Sequence, residues 1–286
     1  MRDGVEVIGG DIRDLEALRK AAAGTDAIIH AAGLAHVFGA EARNPSVFNA
    51  VNEMGTSNVI EAALQCGVAH VILASSVSVY GNQAGDSCDE TASCQPESPY
   101  AQSKWRAEVS ATERIKNGRC ALTILRFATI YGAADRGNVA KLIRALDRGR
   151  FVWIGTGSNR KSLIHKADAA RACLLPLSVS RAETQIFNVS AQTVSMREIV
   201  ALICEALGKP IPRLTVPEAL IRTAGRISRM LGDPGNLMAQ IEKFMREDAY
   251  SGALFEKALG FSPQIALADG LKEETMFLRR QARRAR

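Results

Sequence analysis

Short apolar runs alternate with longer segments of helical period through the first half of the chain, and this alternation admits few folds. Residues 5–8, 27–31, 70–74 and 121–127 read as strands, while 15–23, 44–66, 99–116 and 138–147 read as helices. Pro45 and Pro99 stand at helix starts, where a missing N–H costs nothing. Such an alternation predicts a parallel sheet covered by helices on both faces, an α/β fold. After Gly149 the pattern changes. Short strands around 151–154 and 186–189 mix with helices near 167–177, 196–207, 217–231 and 236–245, punctuated by Pro and Gly. The expected organisation is a sheet domain over 1–150 and, over 151–286, mainly a smaller mixed α/β lobe ending in a basic tail.

A chain of 286 residues with 47% hydrophobic content can bury a full core. Its net charge of +6 is concentrated at one end, where Arg279, Arg280, Arg283, Arg284 and Arg286 supply five positive charges. That distribution reads as a solvated helix end rather than a nucleic-acid surface, and no basic patch is interleaved with aromatics. The six cysteines form no CxxC pair and have no histidine at metal-ligand spacing, so reduced thiols, a cytoplasmic location and no metal are expected. No apolar run reaches the ~18 residues that a membrane span needs.

The chemistry-bearing residues lie where the strand 70–74 runs into Ser75-Ser76 and where YAQSK (100–104) opens the helix after Pro99. Tyr100 and Lys104, four residues apart, share one helix face. A phenol with an ordinary pKa of about 10 is a poor base. A neighbouring ammonium lowers that pKa and makes a general base for a sugar hydroxyl. A serine hydroxyl at a strand end can hold the same substrate oxygen in line.

VILASSVSVYG (71–81), SPYAQSK (98–104) and LRFATIYG (125–132) together resemble the extended short-chain dehydrogenase/reductase family, in its NAD-dependent epimerase/dehydratase branch of nucleotide-sugar epimerases. GGDIRD (9–14), IIHAAG (28–33), VNEMGTSNVIEAA (51–63), IGTGSNRKSLIHKADAARA (154–172) and FNVSAQTVSMREI (187–199) fit the same pattern in order. The resemblance implies Tyr100 as base, Lys104 as its pKa-lowering and ribose-binding partner, and Ser76 as substrate-orienting hydroxyl, with Ser75 a close second. On the cofactor side it implies Asp11 and Ile12 at the adenine, Ala31, Ala32 and Gly33 along the phosphates and ribose, and Asn52 and Ser75 near them. On the sugar side it implies Thr129, Asn138 and Lys161. Plainer readings stand beside these: Asp11 as a helix cap, Asn52 as a local polar contact, Arg160 and Lys161 as solvated turn charges.

The resemblance implies NAD, with NADP not excluded, a nucleotide-sugar substrate, and a homodimer through helices near 45–66 and 99–116. It also marks departures. The chain carries no GxxGxxG turn ahead of its first strand, and GVEVIGGDIRD (4–14) resembles the third strand of the fold. The expectation is therefore a Rossmann-like doubly wound sheet lacking its first two strands, an N-terminally truncated family member. Val77 and Ser78 stand where dehydratases of this branch carry Asp-Glu, which disfavours dehydration. Thr129 stands where many epimerases have Asn. Three functions follow: a UDP-sugar 4-epimerase, a one-way NAD(P)H-dependent 4-keto-sugar reductase, or a non-catalytic, cofactor-deficient binding protein.

Overall fold

The computed structural model describes residues 4–35, 44–82, 87–116, 119–179, 183–217, 219 and 244–284. In chain order its elements begin with α1 (Leu15–Ala22), β1 (Ala27–His30), α2 (Pro45–Phe48), α3 (Met54–Gln65), β2 (His70–Ser76), α4 (Pro99–Ile115) and β3 (Ala121–Phe127). There follow β4 (Thr129–Tyr131), α5 (Asn138–Asp147), β5 (Trp153–Ile154), β6 (Arg160–His165), α6 (Lys166–Leu174), β7 (Gln185–Val189), β8 (Gln192–Ser195), α7 (Met196–Leu207) and β9 (Thr215–Val216). Two helices, α8 (Ala253–Leu259) and α9 (Leu267–Arg284), close the series. The helices expected at 217–231 and 236–245 lie outside the described residues, apart from a few positions at their ends.

The main sheet has the order β1-β2-β3-β7 with every neighbouring pair parallel. All seven residues of β3 are buried, as a central parallel strand covered on both faces requires. Val71, Leu73, Leu122 and Ile124 pack on one face with Ile60 and Ala63 of α3 and Ala111 and Ile115 of α4. On the other face Ile72, Leu125 and Phe187 meet Ala169 and Ala172 of α6 and Phe255 of α8. This is the doubly wound α/β arrangement expected.

The strand expected at 5–8 does not form. Those residues form no strand and pair with none, and Val7 is 86% exposed. In the strand order of this fold two other strands intervene between that position and β1. Among the described residues none lies outside β1, so 5–8 has no ladder to join. Helix α1 is capped by Asp14, whose side chain accepts from the amides of Glu16 and Ala17. Asp11 is therefore not the cap; it accepts from the Arg13 amide and guanidinium, and that pairing holds its carboxyl down at about 2.

At Ala128, whose amide bonds the Val189 carbonyl at 3.0 Å, the chain leaves β3 and enters β4. There it joins a second sheet, parallel to β6, while β6 and β8 are antiparallel. A core of Ile143, Trp153, Ile199, Ile203, Leu207 and Leu271 lies among α5, α7 and α9. Helix α9 crosses this region at Gly270, where a Cβ would stand 2.7 Å from the Tyr131 hydroxyl, so only glycine permits the approach.

Four residues further on, the fully buried Glu274 accepts from the Gly132 amide at 3.0 Å through Oε2, while its Oε1 has no hydrogen-bond partner among the described residues. Burial first, and the Asp135 carboxylate second, push Glu274 up to about 8. A carboxyl raised in the folded state stabilises fully below its unfolded pKa of about 4.3 and loses that contribution as pH rises through about 8. Glu274→Gln removes the titration. The variant is expected to lose less stability than the parent between pH 5 and 8, with a melting temperature at pH 8 raised by about 2 °C or more, read by thermal unfolding across that range.

Candidate functional site

Helix α4 carries the site. Ser98 caps it by accepting from the Ala101 amide at 3.1 Å, and Pro99 opens the first turn. That start places Tyr100, Lys104 and Glu108 on successive turns of one face, against the C-terminal end of β2. The Tyr100 phenol lies near the Ser76 hydroxyl, whose influence is felt on its titration, and Ser76 Oγ accepts from the Ser78 amide at 3.2 Å, capping the turn at 77–80. Lys104 Nζ donates to the Ala74 carbonyl at 2.5 Å. Ser75 Oγ donates to Glu108, which pairs with Arg126 of β3 at 2.7 Å. Register explains the meeting, since Ser75 stands opposite Arg126 and Ser76 opposite Phe127.

The electrostatics differ from the simple reading of a tyrosine lowered by its lysine. Burial pushes the Tyr100 phenol up, opposed by the nearby Ser76 hydroxyl. Burial likewise pushes Lys104 down to about 8, with Glu108 opposing the fall. The ammonium here faces a backbone carbonyl, so its effect on Tyr100 waits on a change of partner.

Asn52 organises the other wall. Between α2 and α3 the backbone widens into a π-turn, Asn49–Glu53, a distortion common where a helix side chain has a special task. From it the Asn52 amide accepts from the Leu34 N–H at 2.7 Å and donates to the Leu34 carbonyl and to Ser103 Oγ, both at 3.0 Å. The chain after β1 is thereby fastened to α4. A Cβ at Gly33 would stand 3.0 Å from Asn52 Oδ1, which keeps that position small. Below it, His30 Nε2 meets Thr56 Oγ1 at 3.0 Å, and burial holds the imidazole down at about 4.

Between these walls lies an open cleft of about 360 Å³, lined by Ala31, Gly33, Ala74, Ser75, Tyr100 and Lys104, and across from them by Phe127, Ile130 and Ala170. Ala32 is exposed at the same strand end. The other expected residues are not in its lining. Ile12 packs on Gly55 and gives its carbonyl to Asn58 at 3.2 Å. Thr129 is half-buried on β4, opposite Leu163. Asn138 is exposed in the first turn of α5. Lys161 Nζ bonds Asp248 Oδ2 at 2.6 Å and the Arg246 carbonyl at 2.7 Å, so it is no solvated turn charge.

Two participants escape a reading that stops at Lys104. Glu108 continues the Tyr100–Lys104 spacing by one more turn, a signal present in the sequence. Arg126 sits within an apolar strand, where its charge demanded a buried partner. Arg126 also donates to Tyr80 Oη at 2.9 Å, and Tyr80 to Asn188 Oδ1 at 2.8 Å, which extends the network across three strands.

The model of the NAD dependent epimerase/dehydratase family matches residues 1–190. The chain belongs to this family of enzymes. It is 30% identical over 274 residues to the N-acetyl-alpha-D-glucosaminyl-diphospho-ditrans,octacis-undecaprenol 4-epimerase of Escherichia coli O157:H7, covering 92% of this chain and 80% of that protein. It is 26% identical to the UDP-glucose 4-epimerase of Vibrio cholerae, over 95% of this chain and 82% of the relative. Among solved structures, MoeE5 in complex with UDP-glucose and NAD superposes with a TM-score of 0.75 at 26% identity, covering 96% of this chain and 86% of that one. Family members are built on the same Rossmann-like sheet, and the cleft described above lies at the C-terminal strand ends where such sheets bind ligands.

Asn52→Leu keeps the branched shape and heavy-atom count of the side chain but leaves the Leu34 amide and carbonyl and Ser103 without their partner. A loss of about 3 kcal/mol is expected, read as a lower urea midpoint at unchanged slope.

Proposed function

We propose that the chain is an NAD-dependent 4-epimerase of a diphosphate-linked sugar, with a UDP-sugar as the first candidate. The observation that carries this reading is the cleft at a strand end into which Tyr100 and, one turn on, Lys104 project beside Ser75, with Ser76 next in the chain. Similarity to a UDP-glucose 4-epimerase, to a 4-epimerase of a polyprenyl-diphosphate sugar, and to a structure holding UDP-glucose and NAD supports it. Val77, buried, and Ser78 offer no carboxylate for eliminating water, which favours epimerisation over dehydration.

The cleft's small residues, Ala31, Gly33 and Ala74, fit a flat ring and a ribose at the strand ends. Tyr100 and Lys104 would hold that ribose, Ala31, Ala32, Gly33 and Asn52 would border the phosphates, and Asp11 with the Ile12 backbone would meet the adenine. NAD, when bound, supplies the acceptor and donor of hydride. The Tyr100 phenolate takes the proton of the sugar 4-hydroxyl as the C4–H bond is broken, and returns it once the turned sugar is reduced on its other face. Ser76 holds the same oxygen in both half-reactions. Lys104, as an ammonium, stabilises the phenolate after exchanging the Ala74 carbonyl for Tyr100. Thr129, Asn138 and Lys161 would form the sugar and diphosphate side; the cofactor residues all fall in 1–150, and Lys161 carries the substrate side into 151–286.

A 4-keto-sugar reductase using NAD(P)H would consume cofactor at each turnover, and a cofactor-deficient binding protein would show no NAD binding. The six free thiols suit a cytoplasmic enzyme. Met54 and Val109, 62% and 37% exposed on α3 and α4, suit pairing of two copies there.

With UDP-glucose, UDP-N-acetylglucosamine or the polyprenyl-linked sugar supplied with catalytic NAD, the expected result is interconversion of C4 epimers by NMR without net NADH. Tyr100→Phe should lose about 10²–10⁴-fold in turnover. Because Lys104 is held down at about 8, turnover should fall as pH rises through that value. Stoichiometric NAD(P)H consumption, or no NAD binding by titration, would overturn the proposal.

A further inference from the structure

We propose that Glu108 is a positioning residue for the Tyr100–Lys104 pair, locking the third turn of α4 to the ends of β2 and β3. The proposal rests on the reading of Tyr100 and Lys104 as the reacting groups. Glu108 lies one turn beyond Lys104, 2% exposed, and each of its carboxylate oxygens is engaged. Oε1 takes the Ser75 hydroxyl and Oε2 takes Arg126 Nη2 at 2.7 Å. These partners belong to different strands, so one side chain fixes α4 against both.

The consequence for the site is geometric. Ser75 is the residue between Ala74, whose carbonyl holds Lys104, and Ser76, the hydroxyl near Tyr100. A carboxylate bonded to Ser75 therefore keeps both contacts in register. Arg126 is held from its other sides by Tyr80 Oη at 2.9 Å and by the rings of Tyr80 and Trp105, at 4.8 and 5.7 Å from the guanidinium carbon. It cannot swing toward Lys104 while that cage is closed.

The charge of Lys104 is the second consequence. His30 from β1 is neutral through burial, and Lys166 from α6 lines the same cleft with a like charge. Tyr100 on the same helix is held neutral by burial, and Arg126 on β3 is spent on Glu108. Glu108 is the anion whose field opposes the desolvation of Lys104. Removing it should lower the Lys104 midpoint and pull the alkaline limb of activity with it.

The test uses the full chain with lysine labelled at the ε-carbon, the Lys104 signal identified by its loss in Lys104→Arg, and titration followed by NMR. Glu108→Gln is expected to lower the Lys104 midpoint by about one pH unit or more. Because that variant strands Arg126 and can fail to fold, Glu108→Leu with Arg126→Met is measured beside it; a buried pair replaced by apolar groups of like volume keeps the fold. The double variant should keep its melting temperature within about 3 °C, and with both charges of the pair gone its Lys104 midpoint should move less than in Glu108→Gln. Its turnover should drop about tenfold with KM within twofold, the mark of a lost positioning contact. A Lys104 midpoint within about 0.3 unit of the parent in Glu108→Gln, or a folded double variant that turns over within twofold of the parent, overturns the proposal. If no sugar is epimerised, the proposed function fails, while the Lys104 titration still decides the role of Glu108.

Discussion

The approach of α4 to the ends of β2 and β3 is the contact on which the site depends. Three side chains on successive turns, Tyr100, Lys104 and Glu108, meet Ser76, the Ala74 carbonyl, and Ser75 with Arg126. A helix face has one pitch and a strand end has another. Matching them at three points leaves α4 no freedom to slide or roll. The fold supplies the platform through a β3 buried at every position, and the ion pair fixes the register on that platform.

Two buried carboxyl groups show how differently the same chemistry is accommodated. Glu108 has a guanidinium and a hydroxyl against it. Stripping one member of such a pair leaves a stranded charge, typically at 3–5 kcal/mol. Glu274 has a single amide, an orphan oxygen and a neighbouring carboxylate, and it escapes the problem by holding its proton. One carboxyl secures α4, the other the loop that leads from β4 toward α5.

Much of this was legible in the sequence, and the rest was not for definite reasons. Residues 138–147 and 196–207 form the helices expected of them because each is periodic and bounded by a cap or a glycine, and 121–127 forms its strand because an apolar run is buried on both faces. Residues 5–8 have the same apolar character but no neighbour to pair with, and strand propensity without a ladder produces only an exposed segment. The short strands β4, β6 and β8 pass unnoticed because polar residues such as Arg160, Lys161, Gln192 and Thr193 fill them; their reason to be extended is each other. Of the site, the Ser76–Tyr100–Lys104 core is readable from spacing. The Asn52 clamp is not, since a π-turn inside a helix leaves no mark in the hydrophobic period. Nor is the Lys161–Asp248 pair, which joins residues far apart in the chain.

The passage of β3 into β4 at Ala128 acts as a ruler. Arg126, tied to α4, and Thr129, on the second sheet, stand three positions apart, at most about 10 Å of chain. The span between the reacting end of the cleft and the first position of the second sheet is thus written in covalent bonds, insensitive to how the outer helices settle. If the proposed function holds, a substituent on the sugar would be gauged against that length. Inserting or deleting a single residue there would change which substituent reaches β4 while leaving Tyr100 and Lys104 where they are.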